Sequence, residues 1–224
     1  MRLLVLLALA GCTRSTPSQP KVAFLLSTLQ EERYQKDRRF FEDKAKALGL
    51  DVFTLAADND NARQLGQVED ALSRGAKVLV VQPTDSAAAA AYVDKAHAAG
   101  AKLVAYDRAI GQNGSGAPDF YVAHDSHAVG VMQAEEAIKA TGGKGNFVLL
   151  DGQSGHSVAT EIARGYHERL DAQKGITVIV EKSHDAWSPE QALKTVEDAL
   201  AKSKGEIAAI LAEERAETPG PTTL

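Results

Sequence analysis

The feature that most constrains this sequence is a regular alternation of short apolar runs with amphipathic stretches, which begins at Lys21 and continues to Leu211. The apolar runs lack a polar residue at every second position, which is typical of strands buried on both faces and therefore of parallel sheets. Glycines at positions 49, 75 and 100 follow the first three amphipathic stretches, where the C-terminal cap of a helix is expected. We therefore predict an α/β protein whose parallel sheets carry helices on both faces.

The same alternation predicts where each element lies and where the chain divides. A glycine-rich run at residues 109–118 separates an N-terminal lobe (residues 21–118) from a C-terminal lobe (residues 119–212), and a cleft between two such lobes is a common ligand site. Residues 213–224 have no apolar period and contain two prolines, which predicts a disordered tail and an incomplete second lobe. The predicted strands are residues 22–26, 51–55, 78–81, 103–106, 120–123, 146–150, 177–181 and 207–211, and the predicted helices are residues 32–48, 61–73, 86–99, 128–141, 158–172 and 190–203.

The N-terminus resembles a bacterial lipoprotein signal. A charged start is followed by an apolar run at residues 3–10, which is far shorter than the ~20 residues that span a bilayer, and then by Leu-Ala-Gly-Cys12. The resemblance implies removal of residues 1–11, lipid attachment at Cys12, and a flexible tether over residues 12–20. The same resemblance implies a location in the periplasm or cell envelope. The alternative is an ordinary secretory signal that contains a chance cysteine.

Composition and motifs argue against several function classes. The formal net charge is −5 without a basic run, so we predict no nucleic-acid partner. The six histidines show no metal-ligand spacing, and the glycine-rich run opens no helix as a dinucleotide site requires. Residues 152–156 nearly spell a nucleophile elbow, but the last position is His156 instead of glycine. We therefore predict a binding protein that has no catalytic residue, metal or cofactor.

An aspartate and an arginine follow the fourth predicted strand. Asp107 and Arg108 come directly after Tyr106, at the carboxyl end of a parallel strand, where α/β sheets bind ligands. A carboxylate beside a fork of guanidinium donors suits a small molecule that is rich in hydroxyl groups. The alternative is a surface ion pair that closes the strand.

Arg33 and Tyr34 lie at the start of the first predicted helix, also at a strand's carboxyl end. A cation at a helix N-terminus opposes the macrodipole by about 0.3 kcal/mol or more. A ligand in the cleft could compensate for this cost. The alternative is a solvated arginine that is partly offset by Glu31 and Glu32.

Trp187 is the chain's single tryptophan and precedes a helix start. Ser188 fits the N-cap, Pro189 the first helical position and Gln191 the third position of a capping box. Trp187 is then either an apolar staple that packs toward Ala192 or an indole face that stacks on a sugar ring.

Other polar residues also end predicted strands on the same side. They can be ligands, or they can be helix caps, which is the commoner role of Asp and Ser at such places. These residues are Gln82, Thr84, Asp151, His156 and Ser157.

Four stretches of the chain resemble the periplasmic D-xylose-binding protein family. They are residues 32–38, 105–108, 119–125 and 187–193, and the similarity extends from about residue 21 to about residue 211. The resemblance implies the two-lobed fold of the type I periplasmic binding proteins. It further implies a monomer that captures a xylose-like pentose or a hexose between its lobes and delivers it to the permease of an ABC importer.

The resemblance also implies roles for individual residues. Arg33 matches a sugar-contacting arginine, Tyr34 and Trp187 match two stacking aromatics, and Asp107 and Arg108 match a hydroxyl-binding pair. After the sixth strand the family has Asp and Asn ligands, whereas this chain has His156 and Val158. His156 is therefore included among the predicted sugar ligands, and the missing amide suggests an altered sugar specificity.

The resemblance is interrupted after the last predicted strand. The family continues with an Asn-Asp segment and with elements that complete the site, whereas this chain reads Glu-Glu-Arg-Ala-Glu at residues 213–217. A frameshift or a premature stop is the favoured interpretation, and a split or short protein is the alternative. Two other functions stay open: a non-functional or split fragment of a sugar-binding protein, and the effector domain of a sugar-responsive regulator. The export signal disfavours the regulator.

Overall fold

Short buried strands separated by helices build two lobes, and the computed structural model describes residues 19–111 and 116–213. The predicted α/β architecture is confirmed. The first lobe contains β1 (Lys21–Leu26), α1 (Glu32–Ala47), β2 (Asp51–Ala56), α2 (Asn61–Ser73), β3 (Val78–Val81), α3 (Ala90–Ala98), β4 (Lys102–Tyr106) and β5 (Phe120–Val122). The second lobe contains α4 (Ser126–Thr141), β6 (Gly145–Asp151), α5 (Ser157–Leu170), β7 (Ile176–Ser183), a 3-10 turn (Asp185–Trp187), α6 (Pro189–Lys202) and β8 (Ala209–Ala212).

The first sheet has the order β2-β1-β3-β4-β5, and every neighbouring pair is parallel. The interior strand β1 is buried on both faces, as the continuous apolar run predicts. Ala23 and Leu25 point into one large apolar cluster, while Phe24 and Leu26 point into a second cluster on the opposite face. Phe24 packs against Phe41 of α1 with ring centroids 4.4 Å apart. The first lobe therefore has an apolar core on each side of its sheet.

The second sheet has the order β7-β6-β8, again with parallel neighbours. One apolar cluster lies between this sheet and the helices α4 and α5. The two helices approach closely because each has a glycine at the contact. A methyl group at Gly130 would overlap the carbonyl oxygen of Ile162, and a methyl group at Gly165 would overlap that of His127. The described apolar cluster of the second lobe thus lies on one sheet face and includes one close helix pair.

Two elements differ from the sequence predictions. Helix α3 begins at Ala90 instead of residue 86, because residues 86–89 form turns and the Asp85 side chain accepts from the Ala88 N–H at 2.7 Å. Strand β5 was expected to begin the second lobe, yet it pairs with β4 in the first sheet. The change of lobe therefore comes after Val122, later than the predicted boundary at residue 119. The second sheet consequently has three described strands.

Some predictions fall outside the described residues. The signal segment, Cys12 and most of the predicted tether belong to residues 1–18, and residues 214–224 of the predicted tail are also outside. Glu213, the first residue of that predicted tail, is instead held in place: its N–H donates to Leu150 and its carboxylate accepts from the N–H of Gly152 at 2.5 Å. Within residues 19–111 and 116–213, no helix is long and apolar enough to cross a membrane.

Candidate functional site

A cavity of about 670 Å³ lies between the two lobes, at the carboxyl ends of their strands. Its first-lobe wall is the segment that leads into α1, and its second-lobe wall combines strand ends with the start of α6. Arg33 and Trp187 are the two predicted site residues that line it. The other residues of its lining are Gln30, Glu31, Glu32, Leu150, Asp151, Gly152, His184, Ala186, Ser188, Pro189, Ala192, Leu193, Val196 and Ala212.

Asp107 is the centre of a buried polar network behind the first-lobe wall. It is 3% exposed and adopts a left-handed φ of +63°, which lets the N–H of Arg108 donate to the Tyr106 carbonyl across a three-residue turn. The Asp107 carboxylate accepts from the Arg33 guanidinium and from the Gln82 amide, the latter at 3.0 Å. Burial alone would raise the pKa of Asp107, but Arg33 and Gln82 outweigh it and lower that pKa below its ordinary value.

Arg33 and Tyr34 reach this network from the first turn of α1. The Arg33 side chain is 51% exposed, so its guanidinium contacts Asp107 on one side and the cavity on the other. The Tyr34 ring is buried, with the guanidinium carbons of Arg33 and Arg108 at 5.2 and 6.0 Å from its centroid, and its hydroxyl donates to Asp107 at 3.4 Å. The cation at the start of α1 is therefore compensated by a buried carboxylate as well as by its acidic neighbours.

Arg108 is more deeply buried than its position after a strand suggests. It is 1% exposed, and its guanidinium donates to the Pro83 carbonyl at 3.1 Å and to the Tyr34 hydroxyl at 3.3 Å. One of its nitrogens lies 3.2 Å from Nε2 of His156 in the second lobe. The alternative of a surface ion pair is wrong, because Asp107 and Arg108 are both buried.

Trp187 lies in the 3-10 turn before α6, with a left-handed φ of +55°. Its indole N–H donates to Nδ1 of His156 at 2.9 Å, and its six-membered ring lies so close to Gly152 that no side chain fits there. Ser188 caps α6 by accepting from the N–H of Gln191, as predicted. The turn thus aims the indole at the end of β6 and at the cavity.

All six predicted site residues are joined by direct contacts. The connections run from Arg33 and Tyr34 through Asp107 and Arg108 to His156 and Trp187, and they cross the boundary between the lobes at His156. Val158, which replaces an amide in the resembling family, packs instead against the core of the second lobe.

Two carboxylates of the second lobe have buried oxygens that accept no hydrogen bond in the described chain, Oδ1 of Asp151 and Oε1 of Glu213. Burial raises the pKa of Asp151 to about 6, and the nearby Glu181 charge adds to the effect. Burial likewise raises the pKa of Glu213 to about 8, with Asp151 contributing repulsion. Asp151, which lines the cavity, therefore has acceptor capacity that Asp107 has already used.

Gln82 is a site residue whose role the sequence did not reveal. Its amide donates to Asp107, while its carbonyl oxygen accepts from the Ser27 hydroxyl at 2.8 Å. Its own backbone carbonyl accepts from Gln64 of α2 at 2.9 Å. Its position at the end of β3 is the one signal that could have identified it.

The lobes are also joined by two hydrogen bonds beside His156. The N–H of Ser86 donates to the Gly155 carbonyl at 3.1 Å, and the N–H of Ala109 donates to the Ser157 hydroxyl at 2.7 Å. We call residues 155–157 the closure segment. Among the residues described, no group of three or more His, Cys, Asp or Glu side chains could hold a metal ion.

Comparison with known proteins gives a consistent picture. The chain matches the periplasmic binding protein domain family over residues 22–220. It is 32% identical over 203 residues to the D-xylose-binding periplasmic protein of Haemophilus influenzae and 33% identical over 204 residues to that of Escherichia coli. Each match covers 89% of this chain and 60% of the relative, so the chain spans about 60% of the length of these relatives.

Solved structures of sugar and polyol complexes share the fold. The Caulobacter myo-inositol binding protein bound to myo-inositol matches with a TM-score of 0.81 and 27% identity, over 88% of this chain and 66% of that one. An ABC transporter periplasmic solute binding protein from Actinobacillus succinogenes with bound D-allose matches with a TM-score of 0.77 and 25% identity, over 88% and 70%.

Proposed function

Since the chain belongs to the periplasmic binding protein domain family, we propose that it captures a monosaccharide, a xylose-like pentose or a hexose, in the cavity between its lobes. The sugar is bound without chemical change and passes to the permease of an ABC importer, and the binding protein acts as a monomer. The observation that carries this proposal is that Arg33 of the first lobe and Trp187 of the second lobe line the same cavity.

The groups that line the cavity suit a polyol ring. Trp187 offers an apolar indole face for the C–H groups of a sugar, and the half-exposed Arg33 offers guanidinium donors. Oε2 of Glu31 and Oδ1 of Asp151 belong to lining residues and accept no hydrogen bond in the described chain. Sugar hydroxyls both donate and accept, so they can use the donors and the acceptors together.

Direct sugar contacts by Tyr34, Asp107, Arg108 and His156 stay a prediction. Their side chains lie behind the cavity wall, and their hydrogen bonds go to protein groups. In the proposed function they hold Arg33 and Trp187 in place, which lowers the entropy that the binding of a ligand costs.

The location of the protein is part of the proposal. The relatives from Haemophilus influenzae and Escherichia coli are periplasmic, and we propose export with a lipid anchor at Cys12. Labelling of cells with a radioactive fatty acid should mark the wild type but not the Cys12→Ser variant. Equal labelling of both proteins, or labelling of neither, would contradict the anchor.

Thermal unfolding with a panel of pentoses and hexoses tests the binding function. A ligand at 100 times its Kd stabilises the folded state by about 2.7 kcal/mol, which raises Tm by several degrees. The sugar recovered after incubation should be unchanged. If no sugar in the panel raises Tm, the proposal fails and a fragment without binding activity is favoured.

A matched pair of α1 variants tests the site. Arg33→Ala should weaken binding of the stabilising sugar at least tenfold, because a charge-assisted hydrogen bond contributes about 1.5 kcal/mol or more. Arg38→Ala, on the same helix and paired with Glu42 at the surface, should leave the affinity unchanged. Equal effects of the two substitutions in calorimetric titration would remove Arg33 from the site.

A further inference from the structure

The cavity has one polar wall and one wall that is mainly apolar. Its first-lobe wall consists of Gln30, Glu31, Glu32 and Arg33. Besides Trp187, its second-lobe wall contains apolar residues from the ends of β6 and β8 and from the first half of α6, namely Leu150, Ala212, Pro189, Ala192, Leu193 and Val196. A sugar ring has hydroxyl groups around its whole rim, and apolar side chains cannot replace the hydrogen bonds that these groups make to water.

The apolar residues of α6 form one face of that helix. Pro189, Ala192, Leu193 and Val196 follow the spacing i, i+3, i+4 and i+7, which places them on the same side. At about 1.5 Å per residue, this face extends roughly 10 Å along the helix axis. Leu193 is nevertheless 60% exposed, so α6 has more apolar surface than it buries against its sheet.

Two strand ends continue this apolar surface. Leu150 of β6 and Ala212 of β8 are paired neighbours in the second sheet, and both are partly exposed. We call Leu150, Ala192, Leu193, Val196 and Ala212 the apolar strip. All five line the same cavity as the residues that are proposed to hold the sugar, so one ligand can contact both parts at once.

Two polar side chains of the second-lobe wall, those of His184 and Ser188, already have partners. Nδ1 of His184 lies 3.0 Å from the Asp151 carbonyl oxygen, and its Nε2 lies 3.0 Å from the Thr195 hydroxyl. The Ser188 hydroxyl caps α6 and donates to the Glu190 carboxylate at 2.8 Å. These side chains therefore offer little to ligand hydroxyls beside the apolar strip, whereas a hydrocarbon group would gain free energy by leaving water there.

We propose that the ligand of this cavity is a glycoside, a sugar that carries an apolar group on its anomeric oxygen. The sugar ring lies between Arg33 and Trp187, and the apolar group lies along the apolar strip. The cavity volume of about 670 Å³ agrees with this larger ligand, because sites of ~300–1,000 Å³ typically hold drug-sized molecules. This inference rests on the proposed function and extends its ligand from a free monosaccharide to a substituted one.

A series of glycosides that differ only in alkyl length tests the inference. The methyl, ethyl, propyl and butyl glycosides of each sugar that raises Tm are titrated calorimetrically as both anomers, and those of xylose and glucose are used if no free sugar raises Tm. For the anomer that fits, the affinity should rise about twofold to fourfold with each methylene group that is removed from water. A disaccharide of the same sugar should bind more weakly than the butyl glycoside, because its second ring brings hydroxyl groups to the apolar strip.

Two exposed leucines of α6 provide a matched pair of variants. Leu193→Gln makes the apolar strip more polar and keeps a residue that favours helix, so the ratio of butyl to methyl glycoside affinity should fall about threefold or more. Leu200→Gln changes a leucine of the same helix that does not line the cavity, and it should keep the wild-type ratio.

The outcomes separate this inference from the proposed function. If a free sugar binds but its affinity does not rise with alkyl length, the inference is overturned and the proposed function stands. Equal ratios for the two leucine variants, or tighter binding of the disaccharide, would also overturn the inference. A glycoside that binds where no free sugar does would support it, whereas binding of neither free sugars nor glycosides would overturn both.

Discussion

Asp107 and Asp151 lie in different lobes, each at the carboxyl end of a parallel strand, yet their surroundings are opposite. Asp107 accepts from Arg33, Gln82 and Tyr34, and the pKa of Asp107 is lowered. Asp151 has a buried oxygen without a donor in the described chain, and its pKa is raised to about 6. Asp107 is thus internally satisfied before any ligand arrives, whereas Asp151 still has a hydrogen bond to gain.

The apolar cores of the two lobes also differ, and the first lobe again has the more complete set of contacts. The five-stranded sheet of the first lobe has apolar clusters on both faces, whereas the three-stranded sheet of the second lobe has one described cluster and a close pair of helices. The comparison teaches that the two walls of the cavity are built on cores of different extent, with the larger described apolar core under the first-lobe wall.

The largest expected change in stability is that of the Asp107→Asn variant. Asparagine tolerates the left-handed backbone of this position but removes the charge and turns an amide toward existing donors. We expect a loss of about 3 kcal/mol in the free energy of unfolding at neutral pH, measured by urea denaturation. Because the pKa of Asp107 is lowered, this contribution is present above its ordinary value of about 4 and should fade as the pH falls below that value.

A surface carboxylate provides the control for Asp107. Asp58→Asn breaks an exposed ion pair with Arg63, which should cost less than about 1 kcal/mol. Similar losses for the two variants would show that the buried network around Asp107 stabilises the protein no more than an exposed ion pair does.

The helix contact of the second lobe gives an intermediate effect. Gly130→Ala inserts a methyl group against the Ile162 carbonyl and should cost about 2 kcal/mol of unfolding free energy, because α4 and α5 must separate. Gly66→Ala is the matched control, since no atom lies within 4 Å of the added methyl on α2. It should instead stabilise the protein by about 0.5 kcal/mol through lower backbone entropy in the unfolded chain. A neutral Gly130→Ala variant would mean that the second lobe adapts more readily than this contact suggests.

The smallest expected effect is a stabilisation, in contrast to the losses of stability above. Asp151→Asn should increase the free energy of unfolding by about 1 kcal/mol at about pH 8, because the wild type must keep a poorly satisfied carboxylate charged there. The pKa of Asp151 is raised on folding, so the wild type recovers stability as the pH falls, and the advantage of the variant should vanish near about pH 4. Chemical denaturation at both pH values would reveal this crossover. A variant that is less stable than the wild type at pH 8 would contradict the difference between Asp151 and Asp107.

The fold could be predicted largely from the sequence because each element has a local cause. Buried parallel strands are continuous apolar runs, and Ser188 with Pro189 marks a helix start without help from the rest of the protein. The failures have non-local causes. Strand β5 is three exposed residues, and its membership in the first sheet depends on its pairing with β4. The late start of α3 reflects the turn that follows Asp85.

The sequence brought together the residues of the candidate site, but it did not indicate how deeply they are buried. Polar residues at strand ends identified Asp107, Arg108 and His156, since parallel strands end at one edge. Their burial depends on contacts between segments far apart in sequence, such as that between Arg108 and Pro83, and no local pattern encodes it. Gln82 was named only as a strand-end residue for the same reason, because its importance comes from bridging Ser27 and Asp107.

Within the described residues, the chain passes from one lobe to the other through residues 123–125 alone, just before the capped start of α4. Each residue contributes two soft backbone torsions, so a few torsions in this connector determine how far one lobe can rotate relative to the other. An extra glycine in this connector would add two soft torsions without changing either sheet, so it would widen the range of lobe orientations open to the described part of the chain.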